Sequence, residues 1–92
     1  MKQVNVLTKI YTVVSIYHNK KTNTYFKQFN YFFLSYQDAE KWIDWVLSEK
    51  QKNMKLKVIT YSSGERVAEN KRQGLKWQYY VREIFDYNIR IR

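Results

Sequence analysis

The stretch GLKWQYYVREIF, residues 74–85, alternates between two kinds of side chain and decides the predicted fold. Alternate positions along a β-strand point to opposite faces of a sheet. One set of positions is large and apolar and predicts a core face: Leu75, Trp77, Tyr79 and Val81. The other set combines bases with polar and aromatic groups: Lys76, Gln78, Tyr80 and Arg82. The stretch therefore predicts a strand with one buried face and one basic, aromatic face.

Two earlier segments show the same strand periodicity. Residues 3–17 alternate and are rich in β-branched and aromatic residues, HNKKTN at 18–23 is a polar turn, and residues 24–33 alternate again. Two such runs around a short polar turn predict a β-hairpin. Lys27 falls among the aromatic residues of the second run, so the sequence leaves open which face of that strand is buried.

A helix is predicted directly after the hairpin. Ser35 stands three residues before Asp38, which is the spacing of an N-cap and its partner. Apolar residues then recur at helical intervals and form one stripe: Ala39, Trp42, Ile43, Val46 and Leu47. A stripe of this kind predicts a helix that packs one side on a sheet.

Residues 54–61 predict a third strand, and the segment around 74–85 is the fourth. Between them, SSGERVAENKRQG at 62–74 is predicted as a hairpin loop, with a short helical turn over 65–71 as the alternative. Residues 86–92 end as a short edge strand or a frayed end. The predicted fold class is α+β, a β-β-α-β-β two-layer sandwich in which one helix covers one face of an antiparallel sheet. We expect residues 1–92 to form a single compact domain.

One helix leaves the second sheet face without cover. The alternation favours a core that contains Val4, Val6, Ile10, Val14, Ile16, Leu56, Val58 and the apolar set of 74–85. The predicted uncovered set is then Lys9, Tyr11, Tyr17, Gln28, Lys55, Lys57, Tyr61 and the basic set of 74–85. Bases between aromatic rings can neutralise phosphates and stack on nucleobases. Tyrosine and lysine are also ordinary on a solvated sheet, so a plain surface or a dimer contact remains an alternative.

The net charge of +9 comes mainly from outside the predicted helix. Residues 36–52 hold four acids and three lysines, and the rest of the chain carries 14 basic and 4 acidic side chains. Such a surface attracts polyanions or acidic protein patches. The candidate residues for binding nucleic acid or a protein partner are Lys57, Tyr61, Lys76, Gln78, Tyr80, Arg82, Tyr11, Lys20, Lys21, Trp45, Arg66 and Arg72.

Catalysis has little support in the sequence. The chain has no Cys, its one histidine, His18, lies in a polar segment, and Asp38 and Glu40 flank the apolar stripe of the helix on opposite sides. General acid–base chemistry needs groups that converge on one cleft. We therefore expect no enzyme, metal site or cofactor. No signal peptide or membrane-spanning run is recognisable, which predicts a cytoplasmic protein. The bias toward Lys, Asn, Tyr, Ile and Phe is typical of an AT-rich coding sequence, so we expect the host to be bacterial.

Residues 10–50 resemble the arm-binding N-terminal domains of phage and transposon integrases. The shared features are a strand, the basic turn HNKKTNTY, a second strand and an aromatic-Leu-Ser step into AEKWIDWVLSE. The resemblance covers less than half of the chain and implies that Lys20, Lys21, Lys27 and Gln28 lie in a DNA groove. The two strands predicted after the helix depart from the strand order of that family.

Three functions are compatible with these features. The first is a small non-enzymatic module, of phage or mobile-element type, that binds nucleic acid or a nucleoprotein through the basic, Tyr-rich sheet face. The second is a phage-encoded protein inhibitor of a host nuclease or defence complex, in the manner of an anti-CRISPR protein, in which Trp, Tyr and Arg serve as contact residues. The third is a structural homodimer, joined through the open sheet face or the C-terminal IRIR segment.

Overall fold

The computed structural model describes residues 4–5, 8–86 and 90–91. Its elements in chain order are β1 (Val4–Asn5), β2 (Thr8–Asn19), β3 (Thr24–Phe33), α1 (Tyr36–Gln51), β4 (Lys57–Thr60), β5 (Arg66–Asn70), β6 (Leu75–Asp86) and β7 (Arg90–Ile91). Strands β2 to β6 form one antiparallel sheet in the order β3-β2-β6-β5-β4. Helix α1 packs on one side of it, which confirms the predicted α+β two-layer arrangement.

Helix α1 joins the two edge strands of the sheet. It follows β3 at one edge and precedes β4 at the other. Its start matches the prediction, since Ser35 is the N-cap and its Oγ accepts a hydrogen bond from the backbone N–H of Asp38 at 3.1 Å. Ala39, Ile43 and Leu47 are buried against the sheet, as their helical spacing predicts.

The prediction for residues 62–74 is wrong in the middle of the segment. Arg66–Asn70 is a strand, β5, paired with β4 on one side and β6 on the other. The turns are therefore shorter than expected, at 61–65 and 71–74. The C-terminal segment contributes the short strand β7, which pairs with β1 as a separate two-stranded sheet.

The core lies between α1 and the sheet and includes Val13, Ala39, Ile43, Leu47, Ala68 and Tyr79. Strand β6 turns Trp77, Tyr79 and Val81 to the helix, as predicted. The prediction for β2 is wrong, because Tyr11 and Val13 face the helix and Ile10, Val14 and Ile16 face away from it. Both alternate sets of β2 contain apolar residues, so periodicity alone does not distinguish its two faces.

A β-bulge in β3 changes which side chains face the helix. Thr12 pairs with Phe32 and Val14 pairs with Phe29, so β3 holds one extra residue between these pairs. The side chain of Thr12 donates to the carbonyl groups of Asn30 and Tyr31 in the bulge, at 2.6 and 3.1 Å. An extra residue shifts the alternation by one position. Strand β3 consequently directs aromatic rings to both sides of the sheet.

Candidate nucleic-acid interface

The candidate site is the side of the five-stranded sheet opposite α1, which we call the open face. Its side chains come from all five strands: Tyr25, Lys27, Phe29, Phe32, Ile10, Thr12, Val14, Ile16, His18, Lys76, Gln78, Tyr80, Arg82, Ile84, Val67, Glu69, Lys57 and Ile59. In the part of the chain that the structure describes, no helix covers this face.

The open face brings together five of the predicted binding residues. Lys76, Gln78, Tyr80 and Arg82 follow one another along the middle of the face on β6, and Lys57 lies on the edge strand β4. The Gln78 side-chain amide donates to a carboxylate oxygen of Glu65 at 3.1 Å. The alternation of residues 74–85 therefore identified the central row of this face.

Strand β3 adds aromatic residues that were not among the predicted binding residues, together with Lys27, which only the integrase resemblance implied. Tyr25 stacks on His18 with ring centroids 4.0 Å apart and planes 10° apart. The Lys27 ammonium lies 5.8 Å from the centroid of the Phe29 ring. Phe32 is 72% exposed. The sequence signal for this group was the position of Lys27 among aromatic residues, and the bulge places Phe32 on the same side of the sheet.

The centre of the face is apolar and closely packed. Val14 is fully buried although no described helix or second sheet covers it, because Phe29 of β3 and Tyr80 of β6 flank it in the register. Val67 is also buried, between Ile59 and Gln78. The face thus presents exposed aromatic rings and charged side chains around a buried apolar centre.

Two basic turns meet at one end of the sheet. The backbone N–H of Lys20 donates to the carbonyl of Gly74 at 2.8 Å, which joins the turn at 20–23 to the turn at 71–74. Lys20, Lys21 and Arg72 are exposed in these turns. The Lys20 ammonium donates to Glu69 at 3.0 Å, and this hydrogen bond holds the pKa of the Glu69 carboxyl below its ordinary value. The basic turns extend the positive charge of β6 beyond the end of the open face.

Four predicted binding residues lie elsewhere. Tyr11 faces the helix layer and packs edge-on against Tyr36, so its predicted place on the uncovered face is wrong. Tyr61 lies just beyond β4, where its backbone N–H donates to the backbone carbonyl of Glu65 at 2.8 Å. Trp45 is exposed on α1.

Arg66 is the fourth of these residues, and its predicted place in a hairpin loop is wrong. Its side chain is 9% exposed and lies between the sheet and α1. Nε contacts Asp44 at 2.8 Å, Nη2 contacts Glu40 at 3.5 Å and Nη1 donates to the Gly64 carbonyl at 2.8 Å. These contacts occupy all three guanidinium nitrogens and tie β5 to the helix.

The charges of the two layers differ in sign. Four of the eight acidic residues of the chain belong to α1, on the far side of the sheet: Asp38, Glu40, Asp44 and Glu49. The open face carries Lys27, Lys57, Lys76 and Arg82, and its one acidic side chain among the described residues, Glu69, accepts a hydrogen bond from Lys20. The nearby Glu65 accepts a hydrogen bond from Gln78. The arrangement therefore presents positive charge on the uncovered side of the sheet.

Chemical features of other kinds of site are sparse in the described residues. No three His, Cys, Asp or Glu side chains converge there as metal ligands. Nε2 of His18 is buried and has no hydrogen-bond partner among the residues that the structure describes. Among the described residues, no helix is long and apolar enough to cross a membrane.

Comparison with protein-family models, with curated proteins and with solved structures finds no match for this chain. The assignment of a function therefore depends on the geometry of the open face.

Proposed function

We propose that this protein is a non-enzymatic module that binds single-stranded nucleic acid, free or within a nucleoprotein, through the open face. The observation that carries the proposal is the row Lys76, Gln78, Tyr80 and Arg82 beside the exposed rings of β3, on a sheet face without a covering helix. Exposed rings on a sheet suit unpaired bases, because every base has a face that can stack.

Each part of the face has a distinct contribution. Lys27, Lys57, Lys76 and Arg82 supply charge for phosphates, while Phe29, Phe32 and Tyr80 supply rings for stacking. The turns with Lys20, Lys21 and Arg72 continue the path for the phosphate backbone beyond the sheet. Because neither phosphate contacts nor stacking read base edges, we expect a weak sequence preference.

Binding through this face has a characteristic dependence on salt. If the four bases of the open face each neutralise one phosphate, the slope of log K against log salt concentration is about −3 for a single strand. Duplex nucleic acid hides its base faces, so it should lose the stacking contribution and bind more weakly than a single strand of the same length.

The test is fluorescence anisotropy of labelled single- and double-stranded oligonucleotides across a salt series. The variant is Arg82→Glu, and the matched control is Lys41→Glu, since both side chains are exposed and both changes lower the net charge equally. We expect Arg82→Glu to weaken binding at least tenfold, and Lys41→Glu, in the helix layer, to weaken it by about threefold or less. A Phe32→Ser variant should lose about tenfold, the value of one stacked base.

Two results would contradict the proposal. One is the absence of binding at low salt. If the open face is a nucleic-acid site, a chain of charge +9 should bind under that condition. The other is an equal effect of Arg82→Glu and Lys41→Glu, which would mean that only the net charge matters. Circular dichroism of each variant verifies that it remains folded.

A second candidate is the protein inhibitor, for which exposed Trp45 on α1 is the supporting observation. Trp is enriched among residues that contribute most to protein interfaces. If oligonucleotides do not bind, pull-down with wild-type protein and with a Trp45→Ser variant tests this function. A partner captured equally by both proteins would contradict a role for Trp45.

A further inference from the structure

Strand β3 is an edge strand with little protection against pairing. It has β2 on one side, and no described strand on the other. Between Thr24 and Phe33 the only charged residue is Lys27. Natural edge strands are usually shielded by charge, proline, short length or a bulge, and β3 has ten residues with one lysine and one bulge near its end.

Large apolar side chains are exposed on both sides of this strand. Tyr25, Phe29 and Phe32 are exposed on the open face, and Phe26 and Tyr31 on the helix side, all by more than half of their surface; Leu34, directly after the strand, is 82% exposed. With about 200 Å² for each fully exposed large side chain, these six present on the order of 800 Å². About half of this area, from Tyr25, Phe29 and Phe32, belongs to the open face. The other half is available to a partner at the strand edge, where each side of a standard protein interface contributes about 800 Å².

The apolar surface continues from β3 onto the helix. Trp42 packs against Tyr31 and Phe33, which places one flank of α1 beside β3. Trp45 lies about 60° further around the helix from Trp42, away from the core. A cleft of about 420 Å³ lies between this flank and the sheet, with Phe26 and Trp42 among its walls. Phe26, Tyr31, Trp42, Trp45 and Leu34 thus belong to one side of the molecule, which we call the β3 flank.

We propose that a second copy of this chain occupies the β3 flank, by antiparallel pairing of β3 with β3 of the partner about a two-fold axis. The unpaired N–H and C=O groups of an antiparallel edge are self-complementary, and homodimers commonly use such isologous contacts. An acidic partner would be drawn to the basic turns or the open face. The β3 flank is apolar and nearly neutral in a chain of charge +9, so a second copy of the same flank matches it in both polarity and charge.

Charge favours this contact over packing of the two open faces. Face-to-face packing would bring Lys27, Lys76 and Arg82 of both copies together. Edge pairing about an axis normal to the sheet keeps these bases apart. It places each side chain of β3 opposite a side chain of the partner strand that points to the same face of the sheet. With the axis at Phe26 or Gln28, Lys27 lies opposite a partner ring, Tyr25 or Phe29, and not opposite itself. The two five-stranded sheets then form one sheet whose open faces are continuous.

The oligomeric state and one crosslink test this proposal. Sedimentation velocity and light scattering of the full chain should give twice the chain mass of 11.4 kDa. Phe26→Lys, which puts like charges beside the axis, should give the monomer mass. Ile59→Lys, an exposed apolar residue on the other edge strand, is the matched control and should remain dimeric.

The absence of cysteine makes a single-cysteine crosslink a second, independent readout that does not require a destabilising charge. A residue on the axis lies directly opposite its own copy, within reach of a disulfide. We expect Phe26→Cys or Gln28→Cys to form a disulfide-linked dimer under mild oxidation, and Ile59→Cys to remain monomeric on a non-reducing gel.

A monomeric wild-type protein at all concentrations overturns the proposal, as does a dimer that Phe26→Lys leaves intact or that crosslinks only through Ile59→Cys. These outcomes are separate from the proposed nucleic-acid function. That function depends on Arg82 and is measured by anisotropy, so either proposal can fail while the other stands.

Discussion

The ionic contact of buried Arg66 with Asp44 and Glu40 leads to a prediction: removing the arginine and removing the two acids should lower stability by different amounts. The Arg66 side chain is 9% exposed, whereas those of Asp44 and Glu40 are 64% and 32% exposed. In Arg66→Met the long apolar part of the side chain is retained, and both carboxylates stay hydrated. In Asp44→Ala/Glu40→Ala the guanidinium stays buried with only the Gly64 carbonyl as a partner.

The magnitudes follow from this difference in burial. Arg66→Met loses three polar contacts but also recovers the cost of burying a charge, so we expect a loss of about 1 kcal/mol in the free energy of unfolding. The double acid variant leaves a buried charge without a counter-ion, for which a loss of about 3 kcal/mol is expected. For a domain of this size, that is a decrease in Tm on the order of 15 °C.

The assay is urea denaturation of the wild type and both variants, with thermal unfolding as a second measurement. A larger loss for Arg66→Met than for the double acid variant would refute the reasoning. Nucleic-acid affinity supplies an orthogonal readout. Because Arg66 is neutralised on the helix side of the sheet, Arg66→Met should alter the affinity by about twofold or less, whereas Arg82→Glu on the open face should weaken it at least tenfold.

Three further changes test local features of the fold. Burial raises the pKa of Tyr79 to about 12 from 10.0, so the folded chain favours the neutral phenol, and stability is lost as the pH rises from 10 through 12. In urea titrations, the wild type should therefore lose stability between about pH 9 and about pH 11. Tyr79→Phe should remove about 1.4 kcal/mol of that loss. His18→Phe keeps a ring beside Tyr25 and removes a buried nitrogen that has no partner among the described residues. The urea midpoint should therefore increase by the equivalent of about 1 kcal/mol. A decrease would show that the imidazole makes a favourable contact. Gly64→Ala places a methyl group 2.6 Å from the Tyr36 hydroxyl at a φ of +89°, so a thermal melt should show a loss of about 2 kcal/mol, and an unchanged Tm would contradict the strained geometry.

The fold could be predicted where one residue pattern admits a single interpretation. Ser35 and the stripe Ala39, Ile43 and Leu47 match a helix start and one buried side. In residues 75–82, the side chains Leu75, Trp77, Tyr79 and Val81 share one parity, and three of the four alternate positions are basic or amide residues. Strand β2 has apolar residues on both parities, and the open face keeps Val14 buried through its neighbours alone. Which face of β2 is turned to the helix therefore depends on where the helix packs, and the periodicity of β2 alone does not determine this.

Strand β5 and the bulge in β3 were missed for a similar reason. RVAEN at 66–70 is short and polar at both ends, and Arg66 is buried only because Asp44 and Glu40 arrive from a helix distant in sequence. The extra residue at Asn30–Tyr31 is stabilised by Thr12 of another strand. The candidate site was thus predictable along β6, while its β3 half required the register of the complete sheet.

The strand order has a consequence for the rate at which the chain folds. Strand β2 pairs with β6 along its whole length, from Thr8 with Asp86 to Asn19 with Leu75, and every such pair encloses β3, α1, β4 and β5 in the intervening chain. The hairpins β2–β3 and β5–β6 close short loops, but the pairing that joins them must overcome the entropy of closing most of the chain. We expect folding in milliseconds to seconds, limited by β2–β6 association. Substitutions in that contact should slow folding, while substitutions in β4 should mainly accelerate unfolding.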